Sequence, residues 1–183
     1  GVNWPVVDDA IAATEAIAEL PSIDDERIFL AGHSRGGMSA PLIAEQWGNY
    51  RGVIVLEGYA QPYPEYMAEI MSAQRESGET TDREREVLSK YLSKIEGVIE
   101  NGVDSTMAET LGVPEQYLEE LVEYDKTEVT STLDVPFFVF QGGADVPSFK
   151  RASAELWRDT LTNPDSKVIY SDEHNHYLQR CHG

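Results

Sequence analysis

A short run of the sequence sets a hydroxyl between two glycines: Gly32-His33-Ser34-Arg35-Gly36 fits the pattern G-x-S-x-G. A serine at a tight turn from strand to helix needs unusual backbone angles and close packing, so small residues must stand two positions away on each side, here Gly32 and Gly36. A helix beginning just beyond Ser34 aims its first amides at an oxyanion forming on a carbonyl under attack, and the backbone amide of Arg35 is one such donor. The hydroxyl is a poor nucleophile until a base takes its proton, and the base needs an orienting carboxylate. The chain supplies these in the order Ser, Asp, His. Asp145 follows Gln141-Gly142-Gly143-Ala144, and His174 and His176 lie in Asp172-Glu173-His174-Asn175-His176-Tyr177. Either histidine can be the base. Asp145 has a competing assignment as cap of a helix starting near Ser148. Two histidines at i, i+2 with no further ligand cluster argue against a metal site, and the chemistry requires neither metal nor cofactor. His33 and Arg35 flank the nucleophile and are the side chains placed to meet substrate. His33 otherwise reads, like His182, as structural or solvent-exposed.

The elements needed to position these residues are visible in the hydrophobic pattern. Val7, Ala10, Ala13, Ile17 and Leu20 recur at intervals of three and four, which predicts an amphipathic helix ended by Pro21 and Asp24-Asp25. Arg27 to Gly32 is then a short apolar run ending in glycine, and Met38 to Trp47 reads as a helix despite Pro41. Further strands are predicted at Gly52 to Leu56, Pro136 to Gln141 and Lys167 to Ser171. Runs apolar on both faces and separated by helices are the mark of a parallel sheet covered on both sides, so the fold class is α/β. Asp134 precedes the strand at Pro136 to Gln141 and is expected at the other edge of the sheet, which makes it a weaker acid candidate than Asp145. From Gly58 to Leu133 the texture changes to Glu-rich and helical, with apolar stripes such as Val87, Leu88, Tyr91, Leu92 and Ile95. That is far longer than a simple crossover needs, so an inserted helical segment is expected.

Composition restricts the partners. The chain has 183 residues, enough for one ordinary domain with a real core, and 33 Asp plus Glu against 14 Lys plus Arg give a formal net charge of -19. Nucleic acid is an improbable partner, because phosphate binding needs clustered cations, and anionic membrane surfaces are disfavoured for the same reason. Five Lys against nine Arg within this acidic excess points to adaptation to high salt. Cys181 is the single cysteine, which permits a reducing, cytoplasmic compartment. Gly1 to Ala13 has neither the basic start nor the apolar core of a signal peptide, and no apolar run approaches the roughly 20 residues of a membrane helix. A cytoplasmic location is favoured if the chain is complete, and secretion is open if a preceding portion is missing.

The run from Arg27 through Ala44, RIFLAGHSRGGMSAPLIA, resembles the nucleophile elbow of the α/β-hydrolase superfamily, in its esterase and dienelactone-hydrolase-like branch. Asp24-Asp25-Glu26-Arg27 before it, Val135-Pro136 through Asp145, and Asn175-His176 resemble that branch as well. The resemblance implies Ser34 as nucleophile, Asp145 as acid and His176 as base, the last because the family shows an Asn-His pair there. It implies three segments: 1–60, core with the elbow; 61–133, a helical cap roofing the acyl or alcohol pocket; and 134–183, core with acid and histidine. Arg35 departs from the small or apolar residue usual at that position and puts a cation beside the nucleophile. The family's earlier strands, with the loop giving the second oxyanion amide, have no counterpart in these residues. The chain therefore reads as a C-terminal half, and by itself as a weak catalyst, since losing one oxyanion donor costs about a hundredfold or more. The expected activity is serine hydrolysis of carboxylic esters or related acyl bonds on a small-molecule acyl substrate, through an acyl-enzyme on Ser34. A peptidase or acyltransferase on the same scaffold, and a non-catalytic binding module, are the alternatives; the oligomeric state is left open.

Overall fold

A computed structural model describes residues 4–78, 80–111, 114–144 and 146–181. Four parallel strands form one sheet in the order β1-β2-β3-β4: β1 (Phe29–His33), β2 (Gly52–Leu56), β3 (Phe137–Gly142) and β4 (Lys167–Ser171). The register runs Ala31 to Ile54, Val55 to Val139 and Phe140 to Ile169. The central strands bury one face almost completely, through Val53, Val55, Phe137 and Val139. On the other face Phe138 is 38% exposed and its neighbour Ile54 only half-buried, so among the described residues the sheet is covered on one face and not, as the apolar runs predict, on both. β1, at the edge of this sheet, alternates in the same sense, and Phe29 at its start, on the face of Ala31 and Ile54, is 57% exposed.

Two helices cover the sheet and two more pack on those. α1 (Pro5–Ala18) starts with proline at its first position, where the missing N–H costs nothing, and buries Val7 against the unit that α2 anchors. α2 (Arg35–Trp47) covers β1 and β2, and α8 (Pro147–Thr160) covers β3 and β4. α7 (Lys126–Thr132) fills the space between α2 and α8. Trp157 of α8, fully buried, donates its indole N–H to the Gly58 carbonyl at 2.9 Å, and the Gln141 amide donates to the same oxygen at 2.5 Å. The chain just beyond β2 is thus held from two sides.

By its contacts the chain divides into two units, one of residues 3–60 with 126–183 and the other of residues 61–125. The second holds α3 (Tyr63–Glu76), α4 (Asp82–Asn101), α5 (Ser105–Leu111) and α6 (Glu115–Glu123) around Ile95, Val98, Ala108 and Leu118. α4 opens with a reciprocal cap: Glu84 N–H donates to Thr81 Oγ1 at 3.3 Å, and Thr81 N–H donates to Glu84 Oε2 at 2.8 Å. The Thr81 side chain and amide, aided by Arg85, hold the Glu84 carboxyl below its usual range. The buried face of α4 is Leu92, Ile95 and Val98, while Val87, the first of the predicted stripe, is 46% exposed. No helix among the described residues is long and apolar enough to cross a membrane.

Candidate active site

At the end of β1 the chain turns into α2 through Ser34, whose φ of 55° and ψ of -116° lie where side chains are rarely tolerated. Two backbone bonds fix it: Ser34 N–H donates to Leu56 O at 2.8 Å, and Ser34 O accepts from Met38 N–H at 3.0 Å. The turn is tight enough that a Cβ on Gly32 would lie 2.3 Å from Gly36 O and 2.7 Å from Gly37 N. Gly36 itself would meet nothing within 4 Å among the described residues. The second close approach falls instead at Gly37 and Gly58, where a Cβ on Gly58 would come 2.7 Å from Gly37 C. Helix α2 therefore rests on the chain after β2 glycine against glycine. Arg35 opens α2, so its amide belongs to the turn where the helix dipole favours negative charge.

The partner of Ser34 comes from the other side of the sheet. After β4 the chain forms a compact loop closed by Cys181 N–H to Glu173 O at 2.7 Å, the Arg180–Glu173 ion pair and a bridge between His174 and Arg180. Within it the Asn175 side-chain oxygen accepts from Tyr177 N–H and Gln179 N–H, both at 3.0 Å. Asn175 thereby braces the turn that carries His176, and Leu178 adopts a φ of 62° to complete it. His176 Nε2 lies 3.0 Å from Ser34 Oγ. His33 Nε2–H donates to the His176 carbonyl at 2.8 Å, and the two rings stand 5.0 Å apart, so His33 ties the nucleophile turn to the histidine loop. His174 faces elsewhere: its Nδ1 is 2.7 Å from Ser171 Oγ, its ring meets the Phe140 ring edge-on, and its carbonyl accepts from Ala144 N–H at 3.0 Å.

Asp145 lies outside the described residues. The loop leading to it is anchored by Gly143 N–H to Ser171 O at 2.8 Å and by the Ala144 bond to His174. Beside that loop Arg151 stacks on the Tyr170 ring and pairs with Asp172 at 3.0 Å. Burial chiefly, and then the Asp172 carboxylate, raise the Tyr170 hydroxyl above its ordinary pKa.

Two charged residues absent from the sequence-based set adjoin His176. Glu57 follows β2 directly, has a φ of 56° and is 1% exposed. Its Oε1 accepts from Gly142 N–H at 2.5 Å, and its Oε2 accepts from Lys150 Nζ at 2.7 Å. Lys150, in the first turn of α8, is 3% exposed. Nζ of Lys150 is 3.4 Å, and Oε2 of Glu57 3.9 Å, from His176 Nδ1. The signal in the sequence was a lone acid ending an apolar strand, in GVIVLEG. Among the described residues there is no group of three or more His, Cys, Asp and Glu that could hold a metal ion.

A model of the prolyl oligopeptidase family matches residues 5–105. Esterase EstD of Thermotoga maritima is 27% identical over 180 residues, which cover 97% of this chain and 41% of that protein. Est1E from Butyrivibrio proteoclasticus superposes with a TM-score of 0.60 at 17% identity, over 95% of this chain and 62% of that one. The 2,6-dihydroxy-pseudo-oxynicotine hydrolase superposes with a TM-score of 0.59 at 16% identity, over 96% and 41%. The chain thus spans about two fifths of the length of the curated relative it matches. At these identities the structural likeness is one of fold: a parallel sheet flanked by helices.

Proposed function

Since this chain belongs to the prolyl oligopeptidase family and has the α/β-hydrolase fold, we propose that it carries the catalytic serine and histidine of an enzyme that cleaves carboxylic esters or related acyl bonds. The observation that supports this reading above all is the 3.0 Å approach of His176 Nε2 to Ser34 Oγ at a backbone-strained turn. As Ser34 Oγ attacks an acyl carbonyl, His176 Nε2 takes its proton and the carbonyl oxygen becomes an oxyanion facing the first turn of α2, the Arg35 amide included. Collapse of that intermediate breaks the bond to the leaving alcohol, which receives the proton from His176. Water then repeats the sequence on the acyl-enzyme, with the same imidazole first as base and then as acid. Asp145 is the proposed acid behind His176. Of the expected cap span 61–133, residues 61–125, which form the separate helical unit, are proposed as the cap segment, α7 packing with α2 and α8 instead. The exposed Arg35 and His33 are proposed as side chains that meet substrate.

Ester cleavage is the first reading because the curated relative is named an esterase. Amide cleavage is the second, because the matching family model is described as a peptidase family. Parallel assays with a p-nitrophenyl ester and a p-nitroanilide separate the two. Because the chain spans 41% of its relative, a second oxyanion donor is proposed to come from sequence beyond these residues. The decisive test is labelling by a fluorophosphonate: the wild-type chain should label, Ser34→Ala and His176→Ala should not, and His174→Ala should label normally. Labelling that survives Ser34→Ala refutes the assignment. No labelling of any variant favours a binding module.

A further inference from the structure

Glu57 and Lys150 have no part in the steps above, yet both are buried and both face the back of the imidazole. A buried ion pair is an expensive way to hold a fold together, since an apolar pair of similar volume often does as well or better. Here the position is also built at a backbone cost, with Glu57 in the left-handed region at the carboxyl end of β2. Gly142 makes room for it: a Cβ there would lie 2.8 Å from Glu57 Oε1 and 2.4 Å from His174 O. The carboxylate therefore occupies a fitted cradle, with one oxygen on a backbone amide and the other on an ammonium.

We propose that Glu57 and Lys150 are a charge-compensated pair of positioning residues for His176. The argument is electrostatic. A carboxylate oxygen 3.9 Å and an ammonium nitrogen 3.4 Å from the same Nδ1 act on the imidazole with opposite sign at similar range. Glu57 alone would favour the imidazolium and so reduce the share of neutral ring able to accept the Ser34 proton. Lys150 alone would oppose the imidazolium that must form when that proton arrives. Together they give the ring a polar, oriented backing while leaving it able to charge and discharge. Among the described residues, Ser34 and His33 from the β1–α2 turn and Tyr177 of its own loop, whose ring is 5.6 Å away, also face His176. These, and Asp145, are unchanged in the variants below, so their influence is common to all.

The functional role rests on His176 being the base, but the test does not require turnover. The 183-residue chain is labelled with 15N-histidine, the His176 signals are assigned by their loss in His176→Asn, and the imidazole is titrated by NMR. Lys150→Met should move the protonation midpoint up and Glu57→Gln should move it down, each by about one pH unit or more. The double variant should return towards wild type. A folded Lys150→Met or Glu57→Gln chain with an unmoved midpoint, or shifts of the same sign in both, overturns the proposal. Should Glu57→Gln fail to fold, the Lys150→Met midpoint decides alone. Fluorophosphonate labelling on the same samples keeps the two readings apart. Opposite shifts in a chain that never labels at Ser34 sink the hydrolase and keep the pair, whereas labelling with unmoved midpoints does the reverse.

Discussion

The two glycines of G-x-S-x-G are not equivalent in this chain, and exchanging each for alanine measures the difference. A Cβ on Gly32 would lie 2.3 Å from Gly36 O, 2.4 Å from Gly36 C and 2.7 Å from Gly37 N, all backbone atoms of the first turn of α2. Ordinary carbon contacts begin near 3.5 Å, so strand and helix would have to part by roughly an ångström. Overpacking of this kind costs about 1–3 kcal/mol. For a chain of this length each kcal/mol lowers Tm by about 2–4 °C, so Gly32→Ala is expected to lose about 2–12 °C in thermal unfolding followed by circular dichroism. The displacement also draws Ser34 away from His176, and a misplacement of about 1 Å can cost on the order of a hundredfold in rate. Labelling by a fluorophosphonate should slow accordingly. Gly36→Ala meets nothing within 4 Å among the described residues and replaces glycine in a helix by a better helix former, so its Tm should hold or rise. A Gly32→Ala chain with wild-type Tm, or equal losses in the two variants, would refute the packing argument.

Two further outcomes are expected besides the serine, histidine and ion-pair variants above. Thr81→Ala removes the reciprocal cap of α4 and should lower Tm by about 2–4 °C at neutral pH. Because Thr81 depresses the Glu84 pKa, the cap's contribution is present above the unfolded-state value and disappears as pH falls through the lowered folded value. The Thr81→Ala deficit should therefore shrink in acid; a deficit that grows there contradicts the assignment. With a formal net charge of -19, the chain should gain Tm as salt rises from low to molar concentration, through screening of self-repulsion. Indifference of folding to molar salt would remove the case for salt adaptation.

Where the sequence was legible, local chemistry and tertiary demand coincided. β2 and β4 occupy the spans expected from their Val- and Ile-rich runs, because the turns bounding them also end the sheet pairing. β1 is displaced from 27–32 to Phe29–His33 for two reasons. Arg27 is taken into a short turn by Asp24, whose Oδ2 accepts from Arg27 Nε at 2.6 Å. His33, which looks like the start of a loop, continues as strand because Leu56 of β2 supplies its pairing partner. α2 begins at Arg35 rather than Met38: Gly36 and Gly37 depress local helix propensity, but the close approach of Gly37 to Gly58 and of Gly32 to the first turn fixes the helix from Arg35 onwards. At His33 and at the start of α2 a partner distant in sequence overrides a local preference, whereas at Arg27 a neighbour three residues away does so.

The site divides along the same line. A serine between glycines and a histidine after the last strand are recognisable by type and spacing. Which of two histidines turns towards the serine is not, because Asn175 decides it by bracing the backbone while Ser171 engages the His174 ring. Glu57 and Lys150 are less legible still. A lone glutamate at the end of a strand and a lysine in the first turn of a helix are ordinary surface residues in a linear reading, and 93 positions separate them. Their meaning arises only when parallel pairing sets Glu57 beside Phe140, from which its side chain reaches Gly142, and when α8 packs on β3 and delivers Lys150 to the same place. A carboxylate buried this deeply, next to the imidazole rather than at the surface, is a product of topology. It is for that reason the more informative residue to change, because no local rule of helix or strand formation accounts for its being there.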